Sequence, residues 1–317
     1  MQRPMDSPSP ANTRRSPVRR GVVQTPNARL AYEDWGDPAA PPLVLIMGLG
    51  AQMLLWPDGF CDRLVAAGLR VIRFDNRDVG LSGRFTGTAP EPALWRLALR
   101  AQLGLASPVP YTLVDMADDT VALLDGLGLA RAHIAGASMG GMIAQILAAQ
   151  YPQRVATLTI LFSSTNQPLL PPPAPRLLWQ MLNGPGPNAT VPQQKAHART
   201  MLRAVGSDAF PPDAAEQDEL IERLTERSGD MSGTRRQLMA VLGSGDLRPY
   251  ARRITAPTLV IHGTADRMLP EATGRAVARA IAHATYVRIP GMGHDLPRQL
   301  WPELVRHIAG HVLANPT

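Results

Sequence analysis

Short apolar runs and helical apolar stripes alternate along most of this chain. Residues 21–24 and 28–35 alternate polar and apolar positions, as an antiparallel strand pair joined near Pro26 and Asn27 would. Residues 41–47 are continuously apolar, the mark of a strand buried on both faces of a parallel sheet. The spacing then predicts a helix over 57–67, a strand over 69–74, a helix over 113–127, a strand over 132–136, a helix over 139–150 and a strand over 155–162. That rhythm stops at Asn166. Residues 167–245 hold a proline cluster (Pro168, Pro171, Pro172, Pro173, Pro175) and amphipathic stretches at 193–205 and 213–227, with no convincing strand. Strand 257–262, helix 271–282, strand 284–289 and helix 297–313 resume the alternation.

Strict strand–helix alternation implies right-handed crossovers, so the expected fold class is α/β, with a doubly wound, mostly parallel, eight-stranded sheet. Residues 21–166 and 246–317 would form the core domain. The helical stretch 167–245, inserted after the sixth strand, is expected to be a cap over the site.

Composition narrows the function. The 317 residues are 45% hydrophobic, enough for a well-buried core. A formal charge of +6 could suggest nucleic acid, but Arg3, Arg14, Arg15, Arg19 and Arg20 carry most of it against Asp6, leaving the body nearly neutral. Residues 1–20 mix these arginines with Pro, Ser and Asn and lack apolar periodicity, so a disordered basic tail is expected, and no nucleic-acid partner. No apolar stretch is long enough to span a bilayer, and the start lacks the apolar block of a secretory signal. A cytoplasmic protein without a membrane partner, monomeric or homodimeric, is the expectation. The single cysteine, Cys61, excludes an internal disulfide and falls at a core-like position.

Candidate chemistry centres on Gly136-Ala137-Ser138-Met139-Gly140, placed between a strand and a helix. Glycines two residues either side of a serine suit a turn too tight for larger side chains, which lifts the hydroxyl to the carboxyl edge of the sheet. A serine nucleophile needs a general base, itself held by a buried acceptor, and both should follow later strands. Asp266 follows the strand ending at His262, and His294 follows the strand ending at Ile289. Of the other histidines, His133 and His262 lie in or at the end of apolar strands, while His197, His283, His307 and His311 lie on helical or exposed segments. Asp295 adjoins His294 and could hardly fold back to its ring. The catalytic assignment is therefore Ser138, Asp266 and His294. Backbone N–H groups of Met139 and of Leu49, with Gly48 as the alternative, would form the oxyanion hole. Gly48, Met47 and Met292 are expected to contact substrate, flexible thioethers suiting an adaptable apolar pocket. No His/Cys/Asp cluster has metal-ligand spacing and no phosphate-binding glycine loop is present, so neither metal nor cofactor is expected.

Across residues 21–314 the chain resembles the α/β-hydrolase family. The likeness rests on Met47-Gly48-Leu49-Gly50, on 74–82 with Asp75, Asn76, Arg77 and Asp78, on Gly136 to Gly140, on His262 to Asp266, and on Gly291-Met292-Gly293-His294. The family's usual His-Gly before the oxyanion loop is Met47-Gly48 here, which keeps the backbone donor and removes a polar side chain. Residues 46–57 with 76–80 are similar to the aclacinomycin methylesterase group of carboxylesterases, while 140–145 resembles enol-lactonases of aromatic degradation. In the family, the Arg77 and Asp78 stretch mainly forms a salt-bridged turn. The resemblance implies a serine carboxylic-ester hydrolase acting through an acyl-enzyme on a small to medium, largely apolar ester. Lactonase, thioesterase or cofactor-free perhydrolase activity is the alternative within enzymes, and a ligand receptor on a hydrolase scaffold is the alternative outside them.

Overall fold

Eight strands build one sheet in the computed structural model, which describes residues 17–25, 28–88, 91–182, 184, 186, 189–227 and 232–316. In chain order they are β1 (Val18–Gln24), β2 (Arg29–Trp35), β3 (Pro42–Ile46), β4 (Arg70–Phe74), β5 (Ala132–Ala137), β6 (Val155–Leu161), β7 (Thr258–Gly263) and β8 (Thr285–Ile289). Their spatial order is β1-β2-β4-β3-β5-β6-β7-β8. β1 with β2 and β2 with β4 are antiparallel, and the remaining neighbours are parallel. The order reverses around β3, which lies between β4 and β5. A crevice opens beyond the carboxyl ends of the strands at such a point.

The helices are α1 (Asp58–Ala66), α2 (Leu94–Gln102), α3 (Leu113–Gly126), α4 (Met139–Gln150), α5 (Pro175–Leu182), α6 (Val191–Val205), α7 (Ala214–Glu226), α8 (Ser232–Gly243), α9 (Arg248–Ala251), α10 (Glu271–Ala280) and α11 (Trp301–Leu313). Period-two alternation in the strands assigns them to two layers. Val44, Ile46, Ile72, Ile134 and Val260 point to a cluster with α3, α4 and α10, while Leu43, Leu45, Val71, Ala135 and Ile261 point to one with α1 and α11. Because both faces are covered, these strands read as largely apolar runs, interrupted by single polar residues such as Arg73 and His133. Helix α4 is buried from Met139 to Ala149, so its sequence shows almost no polar face. Cys61 is buried in the α1 layer, and burial pushes its thiol up to about 12, out of reach of thiolate chemistry at neutral pH.

Helices α5 to α8 lie between β6 and α9, within the stretch read as an insertion. The two ends of that stretch meet: the Asn166 amide donates to the carbonyls of Val241 and Gly245, and Leu247 N–H donates to Thr165 O. Helix α2 has no counterpart among the sequence-predicted elements. It docks through Leu97 and Ala101 while Trp95 and Leu99 stay exposed.

The expected tail also needs correction at its end. Val18, Arg19 and Arg20 are strand, because each arginine finds a carboxylate directly across the β1–β2 pair: Arg19 forks onto Asp34 at 3.0 and 3.1 Å, and Arg20 donates to Glu33 at 2.8 Å. Residues 1–16 lie outside the described residues.

Beneath this edge sits a buried charge network. Arg73, 1% exposed, donates to Glu33 at 2.5 and 2.9 Å and to Asp58 at 2.6 Å, and stacks 4.9 Å from the Trp35 ring. Burial alone would raise the Glu33 and Asp58 carboxyls, but the Arg73 charge and its hydrogen bonds hold both below their ordinary values. For Asp34, hydrogen bonds from Arg70 and Arg19 likewise outweigh burial. Removing one partner of a buried pair strands the other. Arg73→Ala should therefore cost roughly 3–5 kcal/mol in urea unfolding, and the parent protein should lose stability in acid. The stabilisation from these depressed carboxylates is complete above the ordinary carboxylate range and is lost as pH falls through their lowered folded-state values. A flat urea midpoint down to strongly acidic pH would contradict this.

Candidate active site

Register brings the chemistry to one edge. Ile46 of β3 pairs with Gly136 of β5, Ala137 with Leu161 of β6, Leu161 with Ile261 of β7, and Gly263 with Ile289 of β8. The residues that follow these strand ends, Met47 to Gly50, Ser138, Phe162, Asp266 and His294, emerge at the carboxyl edge.

Ser138 occupies the turn between β5 and α4 with φ 55 and ψ −122, a conformation costly for a residue with a side chain. Its neighbours explain why the turn survives. A Cβ at Gly136 would lie 2.3 Å from Gly140 O, and one at Gly140 would lie 2.1 Å from Ile46 O, so backbone touches backbone on both sides. Ser138 N–H donates to Leu161 O at 3.0 Å, and its carbonyl accepts from Ser163 Oγ at 2.6 Å. Ser138 itself stays partly exposed.

His294 Nδ1 lies 2.7 Å from Asp266 Oδ2. A carboxylate only accepts, so the ring proton sits on Nδ1 and Nε2 is left with its lone pair in the neutral ring. Asp266 Oδ1 accepts the N–H groups of Met268 and Leu269, both at 2.8 Å. Burial would raise the Asp266 carboxyl, but the His294 charge and hydrogen bonds from His262 and His294 hold it well below the usual carboxylate range. The next residue after β6 closes the arrangement. Phe162 lays its ring 4.8 Å from the His294 ring, centroid to centroid, just beyond the Leu161 carbonyl that holds Ser138.

The loop after β3 runs beside the serine. A Cβ at Gly48 would come within 3.0 Å of Ser138 Cβ and 3.5 Å of its Oγ. Asn76 anchors this loop by donating to Met47 O at 2.9 Å, and Gly50 N–H is taken by Gln237 of α8 at 2.7 Å. Among the described residues, neither the Leu49 nor the Met139 N–H has a protein acceptor.

The expected substrate contacts fare differently. Gly48 flanks Ser138, and Met47 is nearly buried at 6% exposure. Met292 does not line the crevice: it is 0% exposed within the apolar layer of α1 and α11. Its carbonyl is what serves the site, accepting Ala265 N–H at 2.9 Å and lacing the His294 loop to the Asp266 loop. Arg77 and Asp78 form the salt-bridged turn: Arg77 pairs with Asp119 at 2.5 Å, and Asp78 accepts Tyr111 Oη and a fork from Arg236 of the cap. His133 packs in β5 against Thr157 Oγ1 at 2.9 Å, and burial lowers it to about 4.

Residues outside the sequence-based assignment also serve the site. His262, buried at the end of β7, donates from Nε2 to Leu269 O at 2.8 Å and lies 3.4 Å from Asp266 Oδ2. Phe162, Ser163, Gln237 and the cap residue Ser207 join it. Only His262 had a local signal, a histidine at a strand end four positions before an aspartate. No group of three or more His, Cys, Asp or Glu among the described residues is placed to hold a metal ion.

A strand–serine–helix elbow with an Asp–His pair after the last two strands is the arrangement of an α/β-hydrolase. The family model for the alpha/beta hydrolase fold matches residues 41–297, and the chain belongs to that family. It is 32% identical to a rhodomycin D methylesterase of Streptomyces peucetius and 30% identical to one of Streptomyces sp. (strain C5), over 92% of this chain and 98% of each relative. The solved enol-lactonase of Burkholderia xenovorans LB400 superposes with a TM-score of 0.67 at 23% identity, covering 92% of this chain and 99% of that enzyme, a likeness of fold.

Asp266 is held ionised far into acid, so its carboxylate should take up no proton along the acid limb of the rate profile. Log kcat/KM plotted against pH should rise with unit slope to a plateau. A slope of two in that limb would mean that a second group at the site takes up a proton over the same range.

Proposed function

We propose that Ser138 is the nucleophile of a carboxylic-ester hydrolase whose substrate is a methyl ester of a small to medium, largely apolar acid. The chain is a hydrolase of the carboxylesterase type by family and relatives. The observation that carries the residue roles is the His294 Nδ1 to Asp266 Oδ2 hydrogen bond, which fixes the tautomer a serine needs. Ser138 Oγ attacks the ester carbonyl as His294 Nε2 takes its proton. The N–H groups of Leu49 and Met139 receive the developing oxyanion, each donor contributing on the order of 3 kcal/mol to the barrier reduction. His294 returns the proton to the leaving methoxide, and methanol departs. A water that gives its proton to His294 then attacks the acyl-enzyme, and the acid is released with Ser138 restored. Every step uses groups of this chain, substrate and water.

The methyl ester is favoured because both methylesterase relatives match along nearly the whole chain. No helix among the described residues is long and apolar enough to cross a membrane. A cytoplasmic setting, supported by the lone buried Cys61, and action as a monomer or homodimer without a nucleic-acid or membrane partner complete this reading.

Ser138→Ala should lower kcat on p-nitrophenyl acetate and on a panel of methyl esters by on the order of 10⁴-fold or more, with unchanged circular dichroism. A fluorophosphonate should label the parent and not the variant. Turnover retained by the variant would overturn the assignment, and labelling of the parent without ester turnover would favour a receptor.

A further inference from the structure

The cap does more than sit near the base: it grips the main chain on which the base is mounted. Helix α6 ends at Val205, and the residues after it run against the loop following β8. Val205 O accepts the N–H of His294 itself at 2.8 Å. Ser207 Oγ accepts the N–H of Gly293 at 2.7 Å and donates to Asp295 Oδ1 at 2.5 Å. A Cβ at Gly293 would fall 2.8 Å from the backbone of Val205 and Gly206, so the two segments meet main chain to main chain. Ser207 is 3% exposed, and burial raises the Asp295 carboxyl while the Ser207 hydrogen bond opposes that rise. Beyond it, Gln299 donates to Pro211 O and Arg298 pairs with Glu216 of α7.

Residues 293, 294 and 295 thus each have a polar group held by residues 205–207. The carboxylate of Asp266 fixes only the far side of the imidazole. Where the ring starts from is set by the His294 backbone, and that backbone is bonded to the cap.

We propose that Ser207 is a positioning residue for His294, joining the docking of the cap segment 205–207 to the placement of the base. The proposal rests on the reading of Ser138, Asp266 and His294 given above. Without the hydroxyl, the Gly293 N–H and the Asp295 carboxyl lose their shared partner, and the Val205 carbonyl is left to hold the loop, so the ring is placed less firmly relative to Ser138. Misplacement of a catalytic group by about 1 Å costs on the order of 100-fold in rate.

Ser207→Ala should therefore lower kcat by roughly 10–100-fold, leave KM within about twofold, slow fluorophosphonate labelling of Ser138 in proportion, and broaden the downfield Nδ1–H proton resonance of His294 by faster exchange. A folded Ser207→Ala protein with parental kcat and an unchanged resonance overturns the proposal while leaving the triad reading intact. His294→Ala with parental activity would sink both. A second measurement needs no variant. In native-state hydrogen exchange of the full chain, the amides of Gly293 and His294 should open together with α6 and before β8. If they stay protected while α6 exchanges, the cap does not hold the base and the proposal fails.

Discussion

Backbone-to-backbone contact at the end of β5 is the constraint on which the rest of the site depends. Gly140 brings α4 so close to β3 that a single added carbon would collide with the Ile46 carbonyl, and Gly136 does the same between β5 and the first turn of α4. This approach bends the chain sharply at Ser138 and places Met139 N–H at the start of a helix, where backbone donors are unsatisfied. It also sets the Gly48 segment beside the serine. A looser junction would keep the sheet and lose the close approach of the Gly48 segment to Ser138.

Most of the fold could be read from the sequence because burial on both faces leaves a strong mark. Strand β3 is apolar throughout, and the split of Val44 from Leu43 and Leu45 between two layers follows from the pleat alone. The order Ser138, Asp266, His294 was legible for a related reason: each residue follows a strand end, and parallel strands deliver their ends to one edge. Other features were opaque. The last residues of the basic tail join β1 because carboxylates wait on β2. Met292 looked like pocket wall by its place in the loop, yet its side chain turns into the core while its carbonyl does the work. Ser207 could not be found at all, since nothing local indicates that residues 86 positions apart share a hydrogen bond.

Charge is used unequally in the molecule. The Arg73 network and the Asp75 to Asp78 turn are buried and densely paired, and the turn is where the cap is bolted to the core: Arg236 forks onto Asp78, Arg227 reaches Asp75 at 2.6 Å, and Gln237 spans the carbonyl of Arg77 and the N–H of Gly50. The Met47 to Gly50 loop and α8 therefore share supports, and a shift of α8 would be felt at Gly50.

The Asn166 amide, bonded to the carbonyls of Val241 and Gly245, and the Leu247 N–H, bonded to Thr165 O, clasp the two ends of the helical insertion together. Since the two ends of the insertion are held side by side, the sheet is indifferent to how much chain runs between them, and doubling that length would add only about 0.6 kcal/mol of closure entropy. Length can therefore vary within this stretch at little entropic cost, while the bonds from α8 to Gly50, Arg77 and Asp78 tie its sequence to the loops beside Ser138.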